Sequence, residues 1–211
     1  MRLEGFPKLA VNIITKDWKE YKLPVFGIAG MTVITAVLTM ILSPGSNFAK
    51  GTLIGVGFAG AYGLAQGCFF NERQRGTLML LLSLPVTPVQ LVLAKYASAF
   101  SMALFALNAP GLFLGDLRFV FYANMATLLL TSICMAATVL SDKAWAPQLP
   151  LWIVMIIMLP APHLLRHRTS FLHESAHWLI SHDAWIAGFS LLLIAVIVCG
   201  SACIFAKRFS A

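Results

Sequence analysis

The sequence predicts an all-α integral membrane protein with six transmembrane helices, because it is strongly apolar, poorly charged and divided into long hydrophobic stretches. The chain has 211 residues, of which 59% are hydrophobic and 11% are charged. Its mean hydropathy is +0.84. A soluble domain is typically about half apolar and about a quarter charged. The composition therefore excludes a water-soluble globular protein, and it excludes intrinsic disorder, which needs low hydrophobicity and high charge.

Six apolar stretches are long enough to cross the hydrocarbon core, which takes about 20 mainly apolar residues per helix. They cover residues 24–43, 52–70, 89–115, 119–140, 146–165 and 184–206. None of them contains an acidic residue. Thr87 followed by Pro88 is typical of an N-cap with proline at the first helical position, so we predict that the third spanning helix begins there.

The basic residues predict the orientation of these spans, because cytoplasmic loops carry an excess of lysine and arginine. With the N-terminus in the cytoplasm, eleven of the 15 basic residues lie on the cytoplasmic side. Only Lys50, Arg118, Arg166 and Arg168 then lie outside. We therefore expect both termini in the cytoplasm. We attribute the net charge of +7 to the basic residues expected on the cytoplasmic side, and we expect no nucleic-acid partner.

Residues 1–23, which precede the first span, predict a basic amphipathic helix at the membrane interface. Apolar residues such as Phe6 and Ile13 share one side of a helical wheel. The opposite side carries Lys8, Lys16, Lys19 and Lys22. Asp17 falls within the apolar arc and interrupts it. The alternative is an ordinary polar lead-in that only sets the topology.

A short cytoplasmic helix is predicted over residues 72–84, between the second and third spans. Asn71 is a favoured N-cap residue, and Glu72 places a negative charge in the first turn. Leucines follow the charged residues, and Pro85 ends the element. Such a helix could transmit motion from a cytoplasmic partner or could be a passive re-entrant loop, and the residues alone leave both open.

The same stretch resembles the signature of type-2 ABC transporter permeases, the ABC-2 family. The resemblance is carried by Glu72, Gly76-Thr77-Leu78, Leu82-Ser83-Leu84-Pro85-Val86-Thr87 and Lys95. Met79 stands where the family usually has glutamate, and Leu84 intervenes between the serine and Pro85. Six spans, an interfacial N-terminal helix and a longer outer loop before the last span also fit the family, so the resemblance covers essentially the whole chain.

The resemblance implies the permease subunit of an ATP-driven exporter in the bacterial cytoplasmic (inner) membrane. Residues 72–84 would be the coupling helix and residues 1–23 the connecting helix, both facing a separate ABC ATPase, within a permease domain of residues 24–211. Two ATPases and a second, identical or related, permease would complete the transporter. The coupling residues implied are Glu72, Arg73, Arg75, Gly76, Thr77, Leu78 and Pro85.

ATP hydrolysis is expected on the partner and not on this chain, which is therefore not predicted to be an enzyme. A P-loop reads G-x-x-x-x-G-K-[ST] between a strand and a helix. The nearest match, residues 45–52, has its lysine and glycine in the wrong order and lies in a predicted outer loop. We expect ATP and Mg²⁺ on the partner subunit and no cofactor on this chain.

All the histidines lie in the predicted outer loop, residues 163–183: His163, His167, His173, His177 and His182. Two i, i+4 pairs among them could hold a metal or haem, which would suit a haem- or metal-related exporter. Residues 173–177 also match H-E-x-x-H, so a membrane-embedded zinc metalloprotease is an alternative of a different class. We favour the third reading, short re-entrant outer helices with tryptophan at the interface.

Few polar residues interrupt the predicted spans. Gln66 and Asn108 are candidates for a transport pathway, because polar groups inside a membrane are commonly functional. Interhelical hydrogen bonds are the alternative. Lys95 is expected to extend to the cytoplasmic interface. The apolar lining favours an amphipathic or hydrophobic substrate.

Overall fold

The computed structural model describes residues 6–42, 55, 59–60, 63, 66–82, 87–114, 117–141, 143, 146, 148–150, 152–153 and 183–209. The elements in chain order are α1 (Phe6–Leu42), a π-helical turn (Gln66–Asn71), α2 (Glu72–Gln74), α3 (Thr77–Leu82), α4 (Pro88–Leu114), α5 (Leu117–Leu140) and α6 (Asp183–Phe209). Every regular element in the described part of the chain is thus helical, as predicted.

Within the described ranges, three helices are long and apolar enough to cross a membrane. Their spanning stretches are Pro88–Ala106 in α4, Val120–Leu140 in α5 and Trp185–Phe209 in α6. They coincide with the predicted third, fourth and sixth spans, and they support a membrane protein. The predicted spans 52–70 and 146–165 lie largely outside the described residues, so the count of six stays a prediction.

The long helix α1 runs without a break through the predicted boundary between residues 23 and 24. A proline inside a helix removes one backbone hydrogen bond and commonly ends or kinks it. Here the Phe105 ring of α4 makes edge-to-face contacts with Trp18, which precedes Pro24, and with Phe26, which follows it. The interfacial segment and the start of the predicted first span are therefore one continuous rod.

The helix α4 begins where the sequence predicts, with a capping box at its first turn. The backbone N–H of Gln90 donates to Thr87 Oγ1 at 3.3 Å, and the backbone N–H of Thr87 donates to Gln90 Oε1 at 3.1 Å. Two donors that the helix itself cannot satisfy gain partners in this way. The start at Pro88 is confirmed.

The helix α4 lies at the centre of the bundle and packs against α1, α5 and α6. Its Tyr96 Oη lies 2.9 Å from Ser201 Oγ of α6 and donates to the Ser132 carbonyl of α5 at 3.3 Å. Phe69 of the π-helical turn packs edge-to-face on Phe205 of α6. The Tyr96 hydroxyl therefore joins α4 to α5 and α6, and the ring contact joins the π-helical turn to α6.

Cross-helix contacts give the directions of the four long helices. Along α1 and α4 the contacts advance together, from Asp17 with Lys95 to Phe26 with Phe105, so these helices are parallel. Asn108 of α4 meets Asn124 of α5 whereas Tyr96 meets Ser132, so α5 is antiparallel to α4. The C-terminal ends of α5 and α6 meet where Arg208 contacts the Leu140 carbonyl. These directions agree with those expected of the first, third, fourth and sixth spans.

Candidate functional site

Four charged side chains from three elements meet at one end of the bundle, and we call them the charge cluster: Lys16 and Asp17 of α1, Glu72 of α2 and Lys95 of α4. Lys95 Nζ lies 2.7 Å from Asp17 Oδ1 and 2.8 Å from Glu72 Oε1. Lys16 Nζ lies 2.6 Å from the same Glu72 oxygen. The cluster therefore joins α1, α2 and α4 through Glu72 and Lys95.

Three of the four side chains in the charge cluster are buried. The side chains of Asp17 and Lys95 are 0% exposed and that of Glu72 is 3% exposed, whereas Lys16 is 46% exposed. Buried ions are tolerated when they are paired, and removing one partner is strongly destabilising. Two positive and two negative groups balance here, with Lys16 at the solvent-facing rim.

Asp17 is a member of the candidate site that the sequence pattern presents only as an interruption of the apolar arc. Ile13 is buried, and Ala10 and Tyr21 pack partly buried against the core, so the predicted apolar arc is the packed face of the helix. Asp17 lies in that face because Lys95 lies opposite it. Two exceptions in the sequence could have predicted this pair. One is an acidic residue inside an apolar arc, and the other is a lysine inside an apolar span.

The expected extension of Lys95 to the interface is wrong. Its ammonium group is fully buried and is bound by two carboxylates. Those two ion pairs compensate the loss of hydration, so the side chain does not need to reach water.

Burial raises the pKa of the Asp17 carboxyl above its ordinary value, and the adjacent Lys95 ammonium opposes that shift. Burial also raises the pKa of the Tyr21 phenol. The ionised form of Asp17 thus depends on Lys95, and loss of the lysine would leave the effect of burial unopposed.

A close approach between α1 and the π-helical turn lies beside the charge cluster. Tyr21 Oη donates to the Gly67 carbonyl at 2.6 Å. A Cβ atom at position 67 would lie 2.8 Å from Tyr21 Cε1, nearer than real Cβ atoms come to such a neighbour. Glycine at this position is what lets the tyrosine ring lie against the backbone. The contact holds the turn, and with it Glu72, against α1.

The predicted helix 72–84 is wrong as a single element. The chain forms α2, turns at Arg75 and Gly76, and begins again as α3, which ends at Leu82. Gly76 has φ = +72°, a left-handed conformation that costs little only for glycine. Residues 83–86, which include the predicted terminator Pro85, lie outside the described residues.

Asn71 is not the N-cap that the sequence predicts. Its φ and ψ of −63° and −37° are helical, and its side chain makes no capping hydrogen bond. The π-helical turn runs directly into α2, so the backbone at Asn71 is already wound and offers no cap position.

Arg73 connects the 72–82 region to α5. Its guanidinium donates to the carbonyls of Thr138 at 3.2 Å and Ser141 at 2.9 Å. The last carbonyls of a helix have no partner within the helix, so a cation there can satisfy them. Its positive charge also interacts favourably with the negative end of the helix dipole. Arg73 therefore holds the end of α5 as Glu72 holds α1 and α4.

The outward side of the site is basic. Arg75 is 68% exposed and lies 3.2 Å from Glu20 across the outer surface of α1. We call the exposed basic side chains of this side the basic face: Lys8, Lys16, Lys19, Lys22 and Arg75. Of the remaining coupling candidates, Leu78 is 3% exposed, and the side chain of Thr77 is outside the described set.

Asn108, predicted as a candidate pathway residue, is bonded between two helices. Its amide donates to the Leu104 carbonyl at 2.9 Å, and Asn124 of α5 donates to its oxygen at 2.9 Å. The interhelical hydrogen bond weighed as the alternative is thus present at this position. The Gln66 backbone lies in the π-helical turn, and its side chain lies outside the described residues.

The histidine-rich loop cannot be placed in this site. The described chain begins again at residue 183, so His163, His167, His173, His177 and His182 all lie outside the described residues. Within the described ranges, no group of three histidine, cysteine or acidic side chains is arranged to hold a metal.

Comparison with known proteins identifies no relative of this chain. No protein-family model matches the chain, and neither the curated proteins nor the solved structures compared with it give a match.

Proposed function

We propose that the chain is the membrane-spanning permease subunit of an ATP-driven ABC exporter. One observation carries the proposal: Glu72 ties the 72–82 region, the segment with the permease-like motif, to α1 and α4 by two short ion pairs, and a third pair joins α1 to α4 directly. A force applied to this region would be passed directly to two long helices. A passive loop would have no need of buried ionic contacts.

The coupling contacts reach a third helix through Arg73, which binds the end of α5. Glu72 and Arg73 are sequence neighbours but bind different helices. A rotation or displacement of α2 would therefore change the relation of α1 and α4 to α5. Such a relative movement is what alternating access requires of a permease.

The basic face is the surface that we assign to the ATPase. It combines exposed lysines of α1 with Arg75 of the turn between α2 and α3. Complementary charge on an acidic partner would steer association and fix its register. In this proposal Glu72 and Arg73 act inside the permease, whereas Arg75 contacts the partner.

The remaining features of the proposal follow from this role. ATP and Mg²⁺ bind on two copies of the partner, and this chain performs no catalysis of its own. A second permease completes the pathway in the bacterial inner membrane. The substrate is amphipathic or hydrophobic, since few polar residues interrupt the predicted spans.

The first experiment is purification of the full chain in mild detergent from its native membrane, followed by identification of the proteins that accompany it. We expect an ATP-hydrolysing subunit in a one-to-one ratio. Its absence, together with normal folding of the permease, would contradict the proposal.

A second experiment separates coupling from docking in the reconstituted complex. Glu72→Gln keeps the size of the side chain but weakens both ion pairs, so we expect assembly to persist while substrate-stimulated ATP hydrolysis falls at least about tenfold. Arg75→Glu reverses a charge on the basic face, so we expect loss of assembly. Lys207→Gln, a basic residue on α6, is the control. Normal stimulation in the Glu72→Gln complex would show that the cluster does not couple the subunits.

A further inference from the structure

An apolar groove of about 530 Å³ lies along α5, outside the charge cluster. One wall is formed by α5 residues between Leu130 and Leu140, and the other by Ala146, Leu149, Pro150 and Ile153. Among the described residues that line the groove, Ser141 is the only polar one. The volume lies within the range of roughly 300–1,000 Å³ that small-molecule sites occupy.

The length of the groove matches one leaflet of a bilayer. Leu130 is the midpoint of the spanning stretch Val120–Leu140, and the groove extends from there to its C-terminal end. At about 1.5 Å per residue this part of α5 rises about 15 Å. Half of a hydrocarbon core about 30 Å thick is also about 15 Å. The groove therefore runs from mid-membrane to the headgroup level of one leaflet.

The headgroup end of the groove carries positive charge. The Arg208 guanidinium donates to the Leu140 carbonyl at 3.5 Å. Lys143, which is exposed, follows Ser141 by two residues, and its backbone N–H donates to Ser141 Oγ at 3.2 Å. Both basic residues therefore lie next to residues that line this end of the groove. This end of α5 is also the end at which Arg73 and the charge cluster lie, and the distribution of basic residues predicts that it faces the cytoplasm.

We propose that this groove binds an anionic phospholipid of the cytoplasmic leaflet. One acyl chain occupies the apolar groove, and the phosphate lies between Arg208 and Lys143. The cytoplasmic leaflet is the one enriched in anionic lipid, so the charge at the groove mouth matches the lipid available there. A zwitterionic lipid offers the same acyl chain but no net negative charge, so the mouth provides the selectivity. The site is independent of the proposed ATP-driven transport.

The test measures binding of two lipids that have the same acyl chains, phosphatidylglycerol and phosphatidylcholine, to delipidated full-length protein in detergent. Native mass spectrometry counts the bound lipids, and titration gives the affinities. We expect phosphatidylglycerol to bind more tightly. The double variant Lys143→Gln/Arg208→Gln should lose about thirtyfold in affinity for phosphatidylglycerol, at about 1 kcal/mol per basic residue, and should bind phosphatidylcholine unchanged.

Two further variants separate the headgroup from the groove. Arg118→Gln removes a positive charge at the opposite end of α5 and should leave binding of both lipids unaltered. Ala137→Trp fills the groove without changing charge and should abolish binding of both lipids. Because the tryptophan variant keeps every basic residue, it tests the groove even if the Lys143→Gln/Arg208→Gln protein does not fold.

Three results would overturn the proposal. Equal affinity for the two lipids would remove the role of the basic mouth. Binding of inorganic phosphate as tight as that of phosphatidylglycerol would show a phosphate site that does not use the groove. A change in the number of protein copies per particle in Ala137→Trp, with lipid binding retained, would show that a second copy of the chain occupies the groove.

Discussion

At the scale of single residues, the charge cluster shows how two buried charges that are each unfavourable alone stabilise each other. An aspartate on the packed face of α1 and a buried lysine within a spanning helix would each be costly alone. Placed 2.7 Å apart, with Glu72 as a second acceptor, they compensate each other. Neither Asp17 nor Lys95 can therefore be changed independently of the other.

Replacement of Lys95 by methionine should strongly destabilise the protein. The change leaves two carboxylates buried without their shared cation, a situation that typically costs about 3–5 kcal/mol. Thermal unfolding of the detergent-solubilised protein measures the effect. Lys22→Met removes an exposed lysine and should stay within about 0.5 kcal/mol of the unchanged chain. Equal unfolding temperatures for the two variants would mean that the buried ion pairs do not form.

The contact between Tyr21 and Gly67 predicts a non-additive pair of substitutions. Gly67→Ala introduces a Cβ atom against the tyrosine ring and should destabilise the protein, whereas Tyr21→Ala removes both the ring and the hydrogen bond. The double variant should be more stable than the sum of the single effects predicts, by about 1 kcal/mol, because the clash disappears with the ring. Additive unfolding energies would show that the two residues do not touch.

At the scale of secondary-structure elements, the 72–82 region is built from short pieces and not from one helix. A π-helical turn, α2, a glycine turn and α3 follow each other within 17 residues, from Gln66 to Leu82. Glu72 and Arg75 both precede Gly76 on helical backbone, so the glycine turn separates these charged residues from the leucines of α3. One straight helix would instead fix the direction of α3 relative to α2.

Gly76→Ala tests this turn. The backbone at position 76 is left-handed, and nothing lies within 4 Å of a Cβ atom built there, so the cost is that of the backbone conformation alone. We expect a loss of about 1–2 kcal/mol in the free energy of unfolding. Gly76→Asn should cost less, since asparagine visits this conformation more readily. If alanine and asparagine are tolerated as well as glycine, the turn is not left-handed in solution.

The continuity of α1 is also a property of the element. Because the helix is unbroken through Pro24, a displacement of its N-terminal part moves the part beyond the proline as well. Two edge-to-face contacts with Phe105, at centroid distances of 5.4 Å and 5.3 Å, secure the helix on either side of that residue. The connecting segment and the start of the predicted first span would therefore move together in a transport cycle.

At the scale of the whole molecule, charge and contacts are distributed unevenly between the two ends of the bundle. The charge cluster, the basic face and the C-terminal ends of α5 and α6 lie at one end. Asn108 and Asn124 lie towards the other end, where α4 passes into α5. In the proposed function, the end that carries the charge cluster and the basic face is the one that contacts the ATPase.

The orientation can be tested by cysteine labelling in intact cells. In a background without the four native cysteines, a membrane-impermeant thiol reagent should label Arg118→Cys from outside. Lys8→Cys and Lys143→Cys should react only after the inner membrane is permeabilised, because both positions lie at the basic end. Labelling of Lys8→Cys in intact cells would reverse the assigned topology.

How much the sequence predicts differs between fold and site. Hydropathy and length predict the spans of α4, α5 and α6, and Thr87-Pro88 predicts the start of α4, because these signals act within a few neighbouring residues. The same signals predict one helix over residues 72–84, and that prediction is wrong, because the chain turns at Gly76. They do not show that the helix continues through Pro24, where ring contacts with Phe105 secure it on either side.

By itself, the sequence determined a helical membrane protein, and it predicts a basic cytoplasmic side and a motif-bearing segment between two spans. Only the tertiary structure decided that Asp17, Glu72 and Lys95 meet. Asp17 and Lys95 are 78 positions apart in the chain, and their contact depends on the rotation and register of packed helices. Hydropathy and helix propensity are summed over nearby residues and contain no information on that register. The ion pairs that support the proposed coupling therefore became visible only when α1, α2 and α4 were brought together.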